Sequence, residues 1–267
     1  MTVRALAGWR VLIGRTAGRS AALIRLLAAE GAQAQAVPLI DIVAPTDSAE
    51  LDAALMTMAA GDCEWVAFTS VNAVSAVSQR AAQLDLLPVV SAQTRVAAVG
   101  PATARALQNA DIAVDLVPAA GGSTADLAAA FPTGRSGETV VLPRSDIGAD
   151  TLPDALRRKG YQVHTAVAYR TISRALPPSI AEDLAGAGYE AVVVTSPSGV
   201  PALMAAGLAD STALIAIGAP TARAMSAAGM PPTEVATDPT DHDIVAAVIR
   251  CADAGSAATR QQGESTP

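Results

Sequence analysis

One short phrase is written twice in this chain, as "AVGPATARALQNA" from Ala98 and "AIGAPTARAMSAA" from Ala216, with its glycines 118 residues apart. Each copy reads as an apolar strand ending in Gly, then a helix with Pro in its first turn, where an N–H has no intrahelical partner to lose. The repetition is wider than the phrase. "VLIGRTAGRSAALIRLLAAEGAQAQAVPLIDI" (11–42) answers "VVLPRSDIGADTLPDALRRKGYQVHTAVAYRTI" (140–172), with Arg15 against Arg144 at an offset of 129. "VAFTSVNAVSAV" (66–77) answers "VVVTSPSGVPAL" (192–203), with Ser70 against Ser196 at an offset of 126. The order is the same in both copies. An internal duplication of this extent commits the chain to two similar lobes.

Within each copy, short β-branched runs alternate with Ala/Leu-rich stretches of helical period. The runs at 10–14, 35–43, 65–70, 95–100, 114–118, 139–143, 162–172, 191–196, 214–218 and 233–237 predict strands. The stretches at 20–31, 151–160 and 220–229 predict helices, each ending on a Gly suited to the position just past the last turn. Such alternation means βα units, so the fold class is α/β: two lobes, each a parallel sheet flanked by helices, flavodoxin-like. Aromatic residues make up only 3% of the 267, so the core is expected to be Ala, Val, Leu and Ile. The polar stretch 131–138 is the simple place to divide the copies, and the tail from 253 lacks apolar period and is expected to be disordered.

The net charge of −7 argues against nucleic acid as a partner, and any anionic ligand must be held by local donors against the general field. Arginine supplies all the cations but Lys159, a bias of composition. Cys63 and Cys251 have no metal-ligand spacing; a disulfide between them is one reading, and buried thiols of a reducing compartment are the expectation. His164 and His242 are isolated, so no metal is expected. No apolar run reaches a membrane span or a leader core, and a cytoplasmic protein is the expectation.

In open parallel sheets, ligands bind outside the carboxyl ends of the strands, where loops enter helix N-termini. The recurring phrases fall at such places. "FTSVNAV" and "VTSPSGV" put hydroxyls at a strand end, where Thr69 or Ser70, and Ser196 or Ser198, are expected to cap the following helix. "VGPAT" and "IGAPT" put Thr103 and Thr221 in a first helical turn, with hydroxyls near the crevice. Aligned N–H groups at these mouths suit carboxylates or phosphates. Capping alone explains any one of them; four in matching order favour a site. Arg15 and Arg144, just past strand ends, are candidate carboxylate partners, whereas Arg105 and Arg223 turn away from the mouths. His164, in a strand, is expected to pack. There is no GxGxxG, no P-loop and no nucleophile elbow.

Taken in order, "FTSVNAV", "VGPATARAL", "LPRSDIGADTLPDAL", "VAYRT", "VTSPSGV" and "IGAPTARAM" resemble the uroporphyrinogen-III synthase family over about residues 8–250. The resemblance implies lobes of 1–37 plus 173–254 and of 42–168, with linkers at 38–41 and 169–172 and a disordered tail at 255–267, in place of the division at 131–138. It implies a cytoplasmic monomer without cofactor or metal that closes hydroxymethylbilane, a linear polycarboxylate tetrapyrrole, with inversion of the last ring through a spiro intermediate. The substrate would lie in the cleft. The resemblance assigns Tyr169 to assisting departure of the hydroxyl, although a free phenol, with a pKa of about 10, is a modest acid. It assigns substrate binding to Thr69, Ser70, Asn72, Gly100, Thr103, Ser196, Pro197, Ser198, Gly199, Gly218 and Thr221, beside Arg15 and Arg144. In "IGAPT" the Ala precedes the Pro, which puts the donors of that mouth in question. A non-catalytic tetrapyrrole or anion sensor on the same frame, or a portion of a larger fusion, would read alike.

Overall fold

The computed structural model describes residues 4–119, 122–135 and 137–263, with side chains as far as Ala254. In chain order come β1 (Arg10–Ile13), α1 (Ala17–Ala29), β2 (Gln33–Ala36), β3 (Ile40–Val43), α2 (Ala49–Ala60), β4 (Trp65–Phe68), α3 (Val71–Gln83) and β5 (Arg95–Ala98). Next are α4 (Pro101–Gln108), α5 (Thr124–Ala130), β6 (Thr139–Ser145), α6 (Thr151–Arg158) and the long β7 (Gln162–Ser173). Then follow α7 (Pro178–Ala185), β8 (Ala191–Val194), a 3-10 turn (Pro197–Gly199), α8 (Val200–Ala206), β9 (Ala213–Ala216), α9 (Ala219–Ala227), β10 (Glu234–Val235) and α10 (Asp241–Gly263).

The chain divides into two compact units, one of Met1–Asp41 with Ile172–Pro267 and one of Ile42–Thr171. The first unit holds a sheet ordered β10-β9-β8-β1-β2, the second a sheet ordered β3-β7-β6-β4-β5. Strand pairs β1–β2, β1–β8, β8–β9 and β9–β10 are parallel, as are β6–β7, β4–β6 and β4–β5. Numbered along its own chain, the first sheet has the doubly wound order 2-1-3-4-5. The second repeats that order in space when β6 is matched to β1, β7 to β2, β4 to β8 and β5 to β9, as the sequence offsets require. Its chain, however, enters at β3 and β4 and reaches β6 and β7 last. The second unit is therefore a circular permutation of the first, with β3 added at its edge.

Both sheets bury both faces, and the strand sequences show why. In β4 all four residues are buried: Val66 and Phe68 join the cluster with Leu51, Leu55, Val74 and Leu107, whereas Trp65 and Ala67 join Leu127, Phe131, Leu152 and Leu156. β1 and β8 divide likewise, with Val11, Ile13 and Val193 facing α1 and α10 while Leu12, Val192 and Val194 face Leu184, Leu203 and Met225. Two-sided burial with period-2 division is what a continuous apolar strand in a parallel sheet must do. Helices close the layers with apolar residues at helical spacing; α1, for example, buries Ser20, Leu23 and Leu27. α2 stops at Gly61, whose left-handed φ of +81° lets its N–H reach the Thr57 carbonyl.

Several expectations are corrected. The single strand expected at 35–43 is two, β2 and β3, in different sheets, because Pro38 has no N–H for a ladder and the chain changes unit just after it. The run at 114–118 is no strand of its own; Leu116 makes one isolated bridge to Ala97. The polar stretch 131–138 lies inside the second unit, between α5 and β6, so it divides nothing. His164 is exposed on β7 rather than packed. The aliphatic core has an aromatic exception: Trp65 and Phe131 have ring centroids 5.0 Å apart, and Tyr161 meets Phe131 edge-on at 6.0 Å. The tail at 255–267 falls where side chains are not described, and residues 264–267 lie outside the described residues altogether. The backbone continues α10 to Gly263, since alanine keeps its helix propensity after the apolar period has run out.

Candidate functional site

In the second unit, the carboxyl ends of β4, β6 and β7 open onto a cavity of about 150 Å³ lined by Thr69, Ser70, Arg144, Ser145, Gly148 and Tyr169 among others. Four sequence candidates, Thr69, Ser70, Arg144 and Tyr169, are thus brought together from three separate parts of the chain. Tyr169 also borders a second cavity of about 230 Å³, between β3, α2 and α3, which takes in Asn72. Either space alone is smaller than the 300 to 1,000 Å³ or so usual for a whole small-molecule ligand, and each suits one substituent or one ring.

Ser70 stands two residues past β4 in extended conformation and caps α3, its Oγ accepting the Ala73 N–H at 3.0 Å. The same Oγ lies 3.0 Å from the Tyr169 hydroxyl. Tyr169 arrives on β7 and belongs to the buried cluster that also holds Val66, Phe68 and Val141, only 8% exposed. A hydroxyl has one proton and two lone pairs. One lone pair of Ser70 is taken by Ala73. If Tyr169 donates to the second, the Ser70 O–H is left over; if Ser70 donates to Tyr169, the phenol O–H is left over. Either way the pair holds one O–H not used between them.

The two arginines face inward rather than outward. Arg144, with 15% of its side chain exposed, donates to Asp150 at 2.8 Å and to the carbonyl of Gly148. Arg15 in the first unit donates to Asp241 at 2.6 Å and to Ser20 at 3.3 Å. Arg144 thus holds the loop that follows β6, and Arg15 ties the segment after β1 to the start of α10.

The Thr mouths are corrected too. Thr103 and Thr221 are buried, 3% and 2% exposed, rather than standing at a lip. Both occupy the third helical position, after Gly100 and Gly218 as extended N-caps. That position shares a helix face with the residue four later, Leu107 or Met225, each fully buried. "GPAT" and "GAPT" keep the same spacing, so only the missing N–H moves, from the first helical residue (Pro101) to the second (Pro220). Arg105 and Arg223 are exposed, as their helix positions require.

Ser196 does not cap a helix. Its Oγ bonds Ser198 Oγ at 2.9 Å, and the Gly199 N–H that a cap would take goes to the Ser196 carbonyl within the 3-10 turn begun by Pro197. Gly199 packs against Leu39, whose Cδ1 would lie 3.0 Å from any added Cβ.

Sequence reasoning passed over the loop that closes the cavity. Ser145 and Asp146 follow a register irregularity where Ser145 comes opposite Tyr169. Asp146 accepts the N–H of Thr171 at 3.0 Å and that of Ile147 at 3.0 Å, and takes the Ser145 hydroxyl at 3.0 Å. Burial pushes its carboxyl up, but these donors and the Arg170 guanidinium, 3.7 Å away, outweigh it and hold the carboxyl below the usual range. "RSDIGAD" announces a turn through its Ser-Asp and Gly, yet nothing in it names Thr171 as partner. Among the described residues no group of three or more His, Cys, Asp or Glu is placed to hold a metal, and no helix is long and apolar enough to cross a membrane. Cys63 and Cys251 are free and buried.

A family model described as uroporphyrinogen-III synthase HemD matches residues 21–246. A uroporphyrinogen-III synthase of Synechococcus elongatus is 31% identical over 173 residues, 64% of this chain and 64% of that protein, so the likeness spans just under two thirds of the relative. Among solved structures, a mutant uroporphyrinogen III synthase from the extremely thermophilic bacterium Thermus thermophilus superposes with a TM-score of 0.63 at 21% identity, covering 91% of this chain and 98% of that one. Uroporphyrinogen-III synthetase from Helicobacter pylori 26695 gives 0.61 at 17% identity, covering 91% and 99%. At those identities the structural likeness speaks for the fold alone.

Proposed function

The chain belongs to the uroporphyrinogen-III synthase family, and we propose that it closes hydroxymethylbilane to uroporphyrinogen III with inversion of the last pyrrole ring. The observation that carries this reading is the family match across residues 21–246, which runs through both units and encloses every candidate residue except Arg15. Departure of the substrate hydroxyl leaves an azafulvene cation; the last ring attacks through its substituted carbon, and the spiro intermediate fragments and recloses inverted. The bilane also closes by itself, uninverted, so the protein's task is chiefly to hold one conformation, with electrostatic help to the cation.

In this reading Tyr169 gives a proton to the leaving hydroxyl from the cavity at the ends of β4, β6 and β7. Thr69, Asn72 and the N–H groups behind Gly100 and Gly218 hold carboxylate substituents, as do the Ser196–Gly199 turn and the helix turns containing Thr103 and Thr221. Arg144 and Arg15 shape the adjoining loops through Asp150 and Asp241. The enzyme works as a cytoplasmic monomer, without nucleic acid.

The test is consumption of fresh hydroxymethylbilane by the purified protein against buffer. A catalyst consumes it faster than buffer does. A sensor on the same frame would bind it and leave the buffer rate unchanged or slower, and that result would end the enzymatic reading.

A further inference from the structure

The hydrogen bonds at Ser70 join two things the reaction needs to join. The Ala73 N–H belongs to the first turn of α3, a helix of 13 residues with no acidic side chain in that turn. It donates to Ser70 Oγ at 3.0 Å, and Ser70 Oγ lies 3.0 Å from the Tyr169 hydroxyl. The positive end of α3 is thereby connected to the phenol through one hydroxyl. When Tyr169 gives up its proton, Ser70 can turn its own O–H onto the phenolate while still accepting from Ala73. Hydrogen bonds to an ionised oxygen are roughly twice as strong as those between neutral groups, and bonds in a chain polarise one another.

We infer that Ser70 is a positioning residue for the reaction: it acts through Tyr169, coupling the phenolate formed in the first step to the N-terminus of α3. The inference rests on the proposed function. Its proton balance closes within the site. The C–O bond of the hydroxymethyl group breaks as the Tyr169 proton passes to the departing oxygen, releasing water and leaving a substrate cation and a phenolate. After the ring has inverted and closed, the tetrapyrrole cation loses one proton to that phenolate, and Tyr169 is restored. One group serves as acid and then as base, and Ser70 stabilises the state between. No oxidant, metal or further co-reactant is required.

The test is a double-mutant cycle on the rate of type III isomer formation, with KM measured separately. Ser70→Ala is expected to lower kcat about ten- to a hundredfold with KM within about twofold, the size of losing a hydrogen bond to a charged group. Because Ser70 is also a cap, Ser70→Gly serves as the second variant; glycine is nearly as good a cap as serine, yet it has no hydroxyl, so its kcat is expected to fall with that of Ser70→Ala. Ser70→Thr, which keeps both cap and hydroxyl, restores kcat to within about threefold. In a Tyr169→Phe background no phenolate forms, and Ser70→Ala then changes kcat by less than about threefold. An equal loss in the Tyr and Phe backgrounds would overturn the inference, as would full kcat in Ser70→Gly or a loss confined to KM. A wild-type protein yielding only the uninverted isomer would instead overturn the functional reading itself, and this inference with it.

Discussion

Leu39 stands just before the chain leaves the first unit, and two glycines pack against it, Gly14 after β1 and Gly199 in the turn after β8. It is 1% exposed, and an added Cβ at Gly14 would meet its Cδ1 at 2.5 Å and its Cγ at 3.1 Å; one at Gly199 would meet Cδ1 at 3.0 Å. Its carbonyl accepts the Arg174 N–H at 2.9 Å, tying the outgoing strand to the returning one. Leu39→Ala removes three carbons, worth about 0.8 kcal/mol each in transfer, or about 2.4 kcal/mol together. It also leaves a hole beside two residues with no side chains to fall into it. Poor collapse places such a truncation in the upper part of the range of about 2–5 kcal/mol, so we expect about 4 kcal/mol. At about 3 °C per kcal/mol for a domain of this size, Tm falls by roughly 12 °C. Gly14→Ala alone overpacks the same space and destabilises by about 1–3 kcal/mol. Combined, the new methyl enters the vacated volume, and the double variant is expected to be more stable than Leu39→Ala by about 1 kcal/mol, roughly one methylene's worth of burial. Urea unfolding of the four proteins measures this. Strict additivity, within about 0.5 kcal/mol, would refute the claim that these glycines exist to seat Leu39.

Two further outcomes follow from the titrating groups. The folded Asp146 carboxyl is held below its unfolded value, so its contribution is complete above the unfolded pKa of about 3.9 and is lost as pH falls through the folded one. Asp146→Asn should therefore flatten the acid limb of a stability–pH curve below about pH 4 and leave its slope near neutrality unchanged; an unaltered acid limb would contradict this. Burial pushes both thiols up, Cys251 to about 11, so at about pH 8 neither should react with a disulfide reagent until denaturant is added. One equivalent released by the native protein would count against their buried placement.

The duplication made the fold class readable, because a parallel sheet buried on both faces writes its strands as plain apolar runs such as "WVAF" and "AVVV". Strand boundaries failed where one such run served two sheets, at 35–43, since only Pro38 marks the change. The copies are similar enough to show that there are two lobes, but similarity carries no information about where a copy begins. The repeat by itself therefore suggests a cut at 131–138, and it is the family resemblance that implies the exchange of units seen in β6 and β7 beside β4. Within the site, local features were legible: Ser70 caps because it stands between a strand and a helix, and Arg105 and Arg223 are exposed because of helix phase. The same phase, applied to Thr103 with Leu107 and to Thr221 with Met225, announces that the threonines are buried. Pairings over long separations were not legible. Ser70 and Tyr169 are 99 residues apart, and Arg15 finds Asp241 across 226. No pattern of residue types singles out such partners.

The identity of the product decides between catalysis and mere binding. Fresh hydroxymethylbilane is incubated with the purified protein and with buffer alone, the products are oxidised, and the isomers are separated. The inverted, type III isomer is expected to become the main product with the protein and to be absent from buffer. The uninverted isomer alone, formed at the buffer rate in both, would contradict the proposed reaction.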